Sequence, residues 1–163
     1  MFIGAISDTH GVWDQPFKDF LKDVDVIWHA GDWGLDIEFT KKISDWKPVI
    51  GVYGNCDGRD IRLDYPEYQF FECEGMKVLI THIGGYPGKY DFRAKALIER
   101  FNPDIFMCGH SHILKVQYDH KYDMLDINPG ACGIQGWHLV RTALRFKIEK
   151  GELSNMEVFE LNR

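Results

Sequence analysis

Residues 2–10 read FIGAISDTH, an apolar run that ends in an aspartate and a histidine two positions apart. The apolar part, Phe2 to Ile6, has the length and composition of a buried strand. A mixed segment from Gln15 to Lys22 and a second apolar run from Asp25 to Trp28 follow it. Because strand, helix and strand in this order are typical of a parallel sheet, the opening stretch predicts an α/β fold.

The same alternation continues through the first hundred residues. Apolar residues recur at helical spacing from Leu35 to Trp46, and a third strand is expected from Pro48 to Tyr53. Two further strands are expected on either side of Glu74-Gly75, from Tyr68 to Cys73 and from Met76 to Ile80. A helix is then expected from Phe92 to Phe101, and a strand from Ile105 to Cys108.

After Ile113 the pattern changes to strands without helices. Two short strands are expected from Leu114 to Tyr118 and from Met124 to Ile127, and a long one ends in the hairpin signal Lys150-Gly151. Apolar and charged residues alternate along the long run, with Val140, Thr142, Leu144, Phe146 and Ile148 set against Arg141, Arg145, Lys147 and Glu149. This alternation predicts one buried and one exposed face. We therefore expect two packed sheets with helices outside.

Composition limits both the size and the partners of the protein. Because domains of roughly 100 to 200 residues are usual, we expect the 163 residues to form a single domain over 1–163. Hydrophobic residues make up 45% of the chain, which excludes a disordered protein. The formal net charge of −6 provides no positive field to collect polyanions, so long nucleic acid is a poor candidate partner.

The sequence favours the cytoplasm. No run approaches the roughly 20 apolar residues that a membrane helix needs, and Met1 to Ser7 meets Asp8 and His10 too early for the core of a signal peptide. The four cysteines are far apart and form no C-x-x-C pair, so neither a zinc knuckle nor a disulfide framework is indicated. We expect a reduced protein that makes no membrane contact.

Five short polar motifs each follow a predicted strand. They are Asp8-Thr9-His10, Gly31-Asp32, Gly54-Asn55-Cys56-Asp57, Thr81-His82 and Gly109-His110-Ser111-His112. In open α/β sheets, ligands bind beyond the carboxyl ends of the strands, so residues far apart in sequence can converge there. Taken singly, each motif has a simpler explanation, because aspartate often caps a helix and asparagine after glycine often forms a turn. Their joint occurrence at strand ends predicts a metal site.

The candidate ligands are carboxylates, imidazoles and a carboxamide. The seven residues are Asp8, His10, Asp32, Asn55, His82, His110 and His112. This set suits manganese, iron, zinc, nickel or magnesium and requires no thiolate. Seven ligands are too many for one tetrahedral ion. They suit two ions about 3.5 to 4 Å apart that share a carboxylate, an arrangement used to hydrolyse phosphate esters.

The order Asp-x-His, Gly-Asp, Gly-Asn, His and Gly-His-x-His resembles the signature of the calcineurin-like metallophosphoesterase superfamily. The short chain, the Gly-Asn-Cys-Asp form of the third motif and Asn128-Pro129-Gly130 are most similar to its small bacterial and archaeal phosphodiesterases. The resemblance spans Asp8 to Gly130 and implies an α/β/β/α sandwich with two divalent ions, Mn²⁺ or Ni²⁺ first and Mg²⁺, Fe²⁺ or Zn²⁺ as alternatives.

The resemblance also implies a role for each ligand. Asp8, His10 and His112 would bind one ion, Asn55, His82 and His110 would bind the other, and Asp32 would bridge them. A hydroxide held between the ions would attack a small phosphodiester, with Asp32, Asn55 and His82 contributing through metal and phosphate positioning. The alternatives left open are a phosphomonoesterase and a non-catalytic metal-binding scaffold of the same fold, such as the one in retromer. The oligomeric state, including a homo-oligomer, is also left open.

The chain departs from the family pattern in two places. Many members carry a histidine after the motif asparagine, where this chain has Cys56, so the general acid is unassigned. Close relatives often read Thr-His-Gly-His, whereas this chain reads Thr81-His82-Ile83-Gly84. Cys56 is expected to be a small packing residue, and His29 either a core histidine or a residue that orients a metal ligand. His120 and His138 are expected at the surface or in structural roles. Three aromatic residues are expected either in the core or in an apolar rim around the site: Trp33, Tyr53 and Tyr86.

Overall fold

The computed structural model of the protein describes all 163 residues. The strands are β1 (Phe2–Ile6), β2 (Val26–His29), β3 (Val49–Gly51), β4 (Tyr68–Cys73), β5 (Met76–Thr81), β6 (Gly85–Tyr86), β7 (Lys89–Tyr90), β8 (Ile105–Met107), β9 (Leu114–Asp119), β10 (Met124–Pro129), β11 (Val140–Glu149) and β12 (Glu152–Asn162). The helices are α1 (Gln15–Leu21), α2 (Ile37–Ser44), α3 (Arg59–Asp64) and α4 (Phe92–Phe101). None of these helices is long and apolar enough to cross a membrane.

Two five-stranded sheets form the centre of the molecule. The first sheet has the order β12-β11-β1-β2-β3, and the second has the order β4-β5-β8-β10-β9. Strands β1, β2 and β3 run parallel in the first sheet, as do β5, β8 and β10 in the second. Antiparallel pairing adds β11 and then β12 to one side of the first sheet, and places β4 and β9 at the two edges of the second. A small separate hairpin pairs β6 with β7.

The layers follow from the alternation of side chains along the strands. Ile3 and Ala5 of β1 point into the core between the two sheets, whereas Ile6 points outward to helices α1 and α2. On the other side, Leu79 of β5 packs against Ile98 of α4. Each sheet is therefore covered by the other sheet on one face and by helices on the other. The predicted α/β/β/α two-sheet sandwich is confirmed.

Two local elements were not expected from the sequence. Helix α3 lies in the polar stretch from Arg59 onward and buries only one side chain, Ile61, so it has no apolar stripe that a periodicity could detect. The hairpin of β6 and β7 has two residues in each strand, too few to show alternation. The predicted second helix is also shorter than expected, since it begins at Ile37 rather than at Leu35.

The expected exposed face of β11 is wrong at Arg141. Its side chain is only 5% exposed, because β11 lies inside the first sheet and α1 covers it. The guanidinium donates two hydrogen bonds to the Asp14 carboxylate, at 2.8 and 3.0 Å, and a third to the carbonyl of Cys132. It also lies over the ring of Phe17, 4.6 Å from the ring centroid. The paired carboxylate and the three hydrogen bonds are what allow this charge to be buried.

Asp126 of β10 is a buried carboxyl group without a partner. It is 0% exposed, and neither of its oxygen atoms accepts a hydrogen bond. Burial raises the pKa of Asp126 to about 7, although the charge of Lys115 opposes the shift. A carboxyl group that holds its proton only in the folded state makes the fold lose stability as the pH rises from the unfolded pKa of about 4 towards 7.

We expect Asp126→Asn to remove this pH dependence, since the amide is never charged. The variant should match the native protein near pH 4 and exceed it above pH 7 by up to about 4 kcal/mol, the equivalent of three pKa units. Urea unfolding at several pH values measures the difference. Asp123→Asn, on an exposed turn, is the matched control. Parallel stability curves for Asp126→Asn and the native protein would contradict the prediction.

Candidate metal centre

The seven candidate ligands lie in loops that follow the parallel strands. Asp8 and His10 follow β1, and Asp32 follows β2. The remaining four are Asn55 after β3, His82 after β5, and His110 and His112 after β8. Since parallel strands end at the same edge of a sheet, this arrangement collects side chains from both sheets at one edge of the sandwich.

Five of the seven candidates have a left-handed backbone. Their φ angles are 52° at Asp8, 43° at His10, 56° at Asp32, 69° at His110 and 60° at His112. Ten non-glycine residues in the chain have positive φ, so half of them belong to this centre. Such conformations cost roughly 1 to 3 kcal/mol each and persist where the surrounding structure enforces them. The concentration of strain in these loops makes them the candidate functional site.

The Asp8 carboxylate is fully buried, and its two oxygen atoms have different surroundings. Oδ2 accepts hydrogen bonds from the hydroxyl of Ser7 at 2.6 Å and from the amide of His110 at 3.1 Å. Oδ1 faces the Nε2 atoms of His112 at 3.1 Å, His10 at 3.7 Å and His82 at 3.9 Å. One oxygen is therefore held by donors, and the other faces a ring of imidazoles.

Asp32 repeats this arrangement from the neighbouring loop. Its Oδ1 accepts a hydrogen bond from the amide of Cys56 at 2.8 Å. Its Oδ2 lies 3.2 Å from Nε2 of His82 and 3.7 Å from Nε2 of His10. His10 and His82 thus each face both carboxylates, which joins the two loops into one cluster.

His82 provides the clearest test of whether a metal ion fits. Its Nδ1 lies 2.7 Å from the carbonyl oxygen of Ala30, which can only accept, so Nδ1 carries a proton. In the neutral ring the Nε2 atom then carries a lone pair and no proton. This atom is buried and has no hydrogen-bond partner. It faces the Asp32 carboxylate, so two electron-rich atoms are in close contact. Such a contact is favourable only with positive charge between the two atoms, which a proton on Nε2 or a metal ion would supply.

The pKa shifts agree with a site that favours positive charge. Burial alone would lower the pKa of His82, but the close contact with Asp32 and the charge of Asp8 outweigh it and raise the pKa. Burial alone would raise the pKa of Asp32, but the hydrogen bond and charge of His82 hold it well below its usual range. At His10 burial dominates over both carboxylates and lowers the pKa. Asp32 and His10 are therefore ready to bind a cation without first losing a proton, whereas at His82 a metal ion would compete with a proton.

Three groups of ligand atoms lie within 4.8 Å of one another. They are Asp8 with His10 and His112, Asp8 with Asp32 and His82, and His10 with Asp32 and Cys56. The oxygen and nitrogen donors suit divalent ions such as Mn²⁺, Ni²⁺ and Zn²⁺. The residues present therefore fit a divalent metal.

Asn55 and His110 lie beside this cluster but bind each other. Asn55 Oδ1 is 2.9 Å from Nδ1 of His110, and both residues are exposed. The ring of His110 meets the ring of His82 edge-on, with centroids 5.3 Å apart. This contact engages only Nδ1 of His110, so Nε2 of His110 is the nitrogen that remains to bind an ion. The structure thus groups five of the seven candidates closely and keeps these two at the rim.

Comparison with known proteins identifies the family. A family model for the calcineurin-like phosphoesterase superfamily domain matches residues 1–151. The chain belongs to this superfamily. Its members bind divalent metals, which agrees with the donor set described above. A comparison with curated proteins finds no match.

Three solved structures share the fold of this superfamily member. Vps29 from Entamoeba histolytica in complex with Zn²⁺ is 18% identical, with a TM-score of 0.75 over 99% of both chains. A predicted phosphoesterase from Streptococcus pneumoniae is 22% identical, with a TM-score of 0.69 over 99% of this chain and 88% of that one. YfcE, a phosphoesterase from E. coli, is 17% identical, with a TM-score of 0.62 over 96% and 98%.

Two glycines allow the loops that carry the candidate ligands to approach one another closely. A Cβ atom at Gly54 would collide with the carboxylate of Asp32, and one at Gly109 would collide with the hydroxyl of Ser7. A Cβ at Gly109 would also lie 2.8 Å from Oδ2 of Asp8. These glycines are therefore required by contact with the candidate ligands.

Cys56, where many superfamily members have histidine, is exposed, so its expected role as a packing residue is wrong. Its amide binds Asp32, and Asn55 Nδ2 lies 3.5 Å from its sulfur. Burial and the nearby Asp32 charge raise the pKa of the Cys56 thiol to about 11. The thiol therefore keeps its proton as long as no cation lies beside it.

The other singled-out residues divide between core and site. His29 and Trp33 are fully buried and stack at 3.7 Å, so Trp33 belongs to the core and not to a rim. His29 contacts the Thr9 hydroxyl and accepts a hydrogen bond from the Gly31 amide, as a satisfied core histidine does. Tyr53 lines a cavity beside the site.

Two contributors were not singled out as part of the site by sequence. Ser7 holds Asp8, but as a serine at a strand end it carries no distinguishing signal. His138 was assigned to the surface or to a structural role, yet it contacts His112 at 3.2 Å. Its distance from the motifs along the chain concealed this contact.

We expect Asp32→Asn to reduce the metal content of the purified protein, because one charged oxygen facing two imidazoles is lost. The loss of affinity should exceed the roughly 10- to 100-fold typical of removing an outer hydrogen-bond partner. Elemental analysis after dialysis against limiting metal measures it. The control is Asp123→Asn, which makes the same chemical change at an exposed residue whose φ is also positive, at 51°. Equal metal content in the two variants would refute the role given to Asp32.

Proposed function

We propose that residues 1–163 form one phosphoesterase domain that hydrolyses small phosphodiesters with two divalent metal ions. The observation that carries the proposal is the buried Nε2 lone pair of His82, which faces the Asp32 carboxylate with no hydrogen-bond partner. Asp8, His10 and His112 would hold one ion, Asn55, His82 and His110 would hold the other, and Asp32 would contact both. Membership of the superfamily and the likeness to YfcE, a phosphoesterase, support hydrolysis.

The residues around the ligands fix the directions in which the ligands point. The Ser7 hydroxyl and the His110 amide hold one oxygen of Asp8, and the Cys56 amide holds one oxygen of Asp32. The Ala30 carbonyl keeps the proton of His82 on Nδ1. Such outer contacts orient ligands and reduce the reorganisation needed on binding. Metal ions bound there would lower the pKa of water and neutralise charge on the phosphate oxygens.

A cavity beside the centre supports a diester as substrate. It has a volume of about 300 Å³ and is lined by Asn55, His82, Tyr53, Arg62, Arg93 and Leu97, among others. With Asn55 and His82 positioning the phosphate, the remaining wall offers apolar contacts and charged groups of both signs, Arg62, Arg93, Glu67 and Asp91, to a group attached to it. A diester carries a second alcohol that can occupy this space, which favours it over a monoester. The acidic net charge of −6 argues against long nucleic acid as the substrate.

Mn²⁺ and Ni²⁺ are the ions that we favour, with Mg²⁺, Fe²⁺ and Zn²⁺ as alternatives, because the donors are oxygen and nitrogen atoms. The Zn²⁺ complex of Vps29 shows that a protein of this fold can bind zinc. The four cysteines are all unpaired, which is usual in a reducing compartment. We therefore propose that the protein acts in the cytoplasm.

We expect hydrolysis of bis(p-nitrophenyl) phosphate to require a divalent ion, with Mn²⁺ or Ni²⁺ giving the highest rate. Chelation should lower the rate by at least about 10²-fold, since the ions supply several kcal/mol of charge stabilisation. A panel of phosphodiesters, phosphomonoesters and cyclic nucleotides, each with five metals, measures it. Undiminished turnover by metal-stripped protein in chelator would refute the mechanism, and faster cleavage of p-nitrophenyl phosphate would favour the phosphomonoesterase.

Cys56 leads to an expectation about the leaving group. A general acid contributes about 10²- to 10⁴-fold in rate by protonating the departing oxygen. Because Cys56 replaces the histidine common at this position, we expect aryl diesters to be cleaved far faster than alkyl diesters, with a steep dependence on leaving-group pKa. Cys56→His should make that dependence shallower. The slope is measured for both proteins at equal metal content; a shallow native slope, or a steep one that is unchanged in the variant, would contradict the prediction.

A non-catalytic scaffold is the second candidate. Three exposed apolar side chains are sequence neighbours of His112 and His138. Trp137 is fully exposed, Leu139 is 82% exposed and Ile113 is 63% exposed. These residues and the likeness to Vps29 are what support a partner protein as the alternative. Metal binding without hydrolysis of any ester in the panel would support the scaffold.

A further inference from the structure

His138 lies in the loop between β10 and β11 and reaches back to a candidate metal ligand. Its Nδ1 is 3.2 Å from Nδ1 of His112, and its Nε2 is 2.9 Å from the carbonyl oxygen of Gly133. The two rings meet edge-on with centroids 5.0 Å apart. His138 is half-buried, unlike His120, which is exposed on a distant turn. One imidazole is thus placed between a backbone carbonyl and His112.

The positions of the protons follow from one end of this chain of contacts. The Gly133 carbonyl can only accept, so Nε2 of His138 donates to it. In the neutral ring Nδ1 of His138 then has a lone pair, which accepts the proton on Nδ1 of His112. Nε2 of His112 is left unprotonated, and it is the atom that faces Oδ1 of Asp8 at 3.1 Å.

We infer that His138 is a positioning residue that holds His112 with its Nε2 lone pair directed to the metal. The inference rests on the proposed metal site, and it adds a residue outside the five motifs to that site. A ligating histidine commonly donates its other N–H to a carboxylate, a carbonyl or water, which fixes its orientation and strengthens its donor atom. Here a second imidazole serves that purpose, because its own proton is held by Gly133.

The loop that carries His138 is packed against His112. Gly136 has a φ of 119°, and a Cβ atom there would collide with the imidazole of His112. The side chain of Arg163 donates hydrogen bonds to the carbonyls of Gly136 and His138. The amide of Arg163 also binds the carbonyl of Leu139 at 3.1 Å. These contacts fix the loop and therefore the distance between the two rings.

Two nearly isosteric variants test the inference. His138→Asn keeps an acceptor oxygen at the position of Nδ1, whereas His138→Leu has the same shape and no acceptor. We expect the Leu variant to bind Zn²⁺ about 10- to 100-fold more weakly than the native protein, and the Asn variant to stay close to native. His120→Leu is the control and should leave the affinity unchanged. Zn²⁺ affinity is measured by competition with a chelating dye at constant pH, with unfolding curves to verify that each variant is folded.

A second readout does not depend on affinity. In the Zn²⁺-loaded protein, ¹⁵N spectra should show a proton on Nδ1 of His112 and a scalar coupling across the hydrogen bond to Nδ1 of His138. A proton on Nε2 of His112, native affinity in the Leu variant, or equal losses in the Leu and Asn variants would overturn the inference. Absence of Zn²⁺ binding by the native protein would overturn the metal site as well. Normal Zn²⁺ binding and coupling without ester hydrolysis would instead remove only the proposed catalytic function.

Discussion

The centre depends on carboxylate oxygens and imidazole nitrogens that face one another at 3.1 to 3.9 Å. One oxygen of Asp8 and one of Asp32 point at imidazole nitrogens, while their other oxygens are held by hydroxyl and amide donors. The Ala30 carbonyl keeps the proton of His82 away from this cluster. In a buried setting such an arrangement is unfavourable unless positive charge compensates it. The loops, the glycines and the outer hydrogen bonds all serve to maintain it.

The fold supplies this arrangement through two parallel sets of strands that end at the same edge. Asp8 and Asp32 come from loops of the first sheet, and His82 and His110 from loops of the second. The loops turn so sharply that several ligands adopt left-handed backbone conformations. The packed core between the sheets is formed by residues that take no part in the site, and its buried apolar surface offsets this strain.

The sandwich and the seven candidate ligands could be predicted because both depend on local signals. Apolar runs mark the strands, and each motif stands directly after a strand, so convergence follows from topology alone. Features that depend on distant contacts could not be predicted. Arg141 is buried by Asp14, 127 positions away, and His138 acquires its role only when its loop folds onto His112. Asn55 and His110 were predicted as ligands, but their mutual hydrogen bond depends on loop geometry that no spacing encodes.

The origin of the ligands in both sheets has a kinetic consequence. Asp8 and His112 are separated by 104 positions, so their contact forms only when the two sheets have packed together. A metal ion that needs ligands from both sheets is fully bound only after the sheets have packed, so it contributes little to the early steps of folding. Interactions that form after the transition state mainly slow unfolding. Ions bound across the two sheets would therefore slow unfolding and lengthen the lifetime of the folded protein, without speeding its formation.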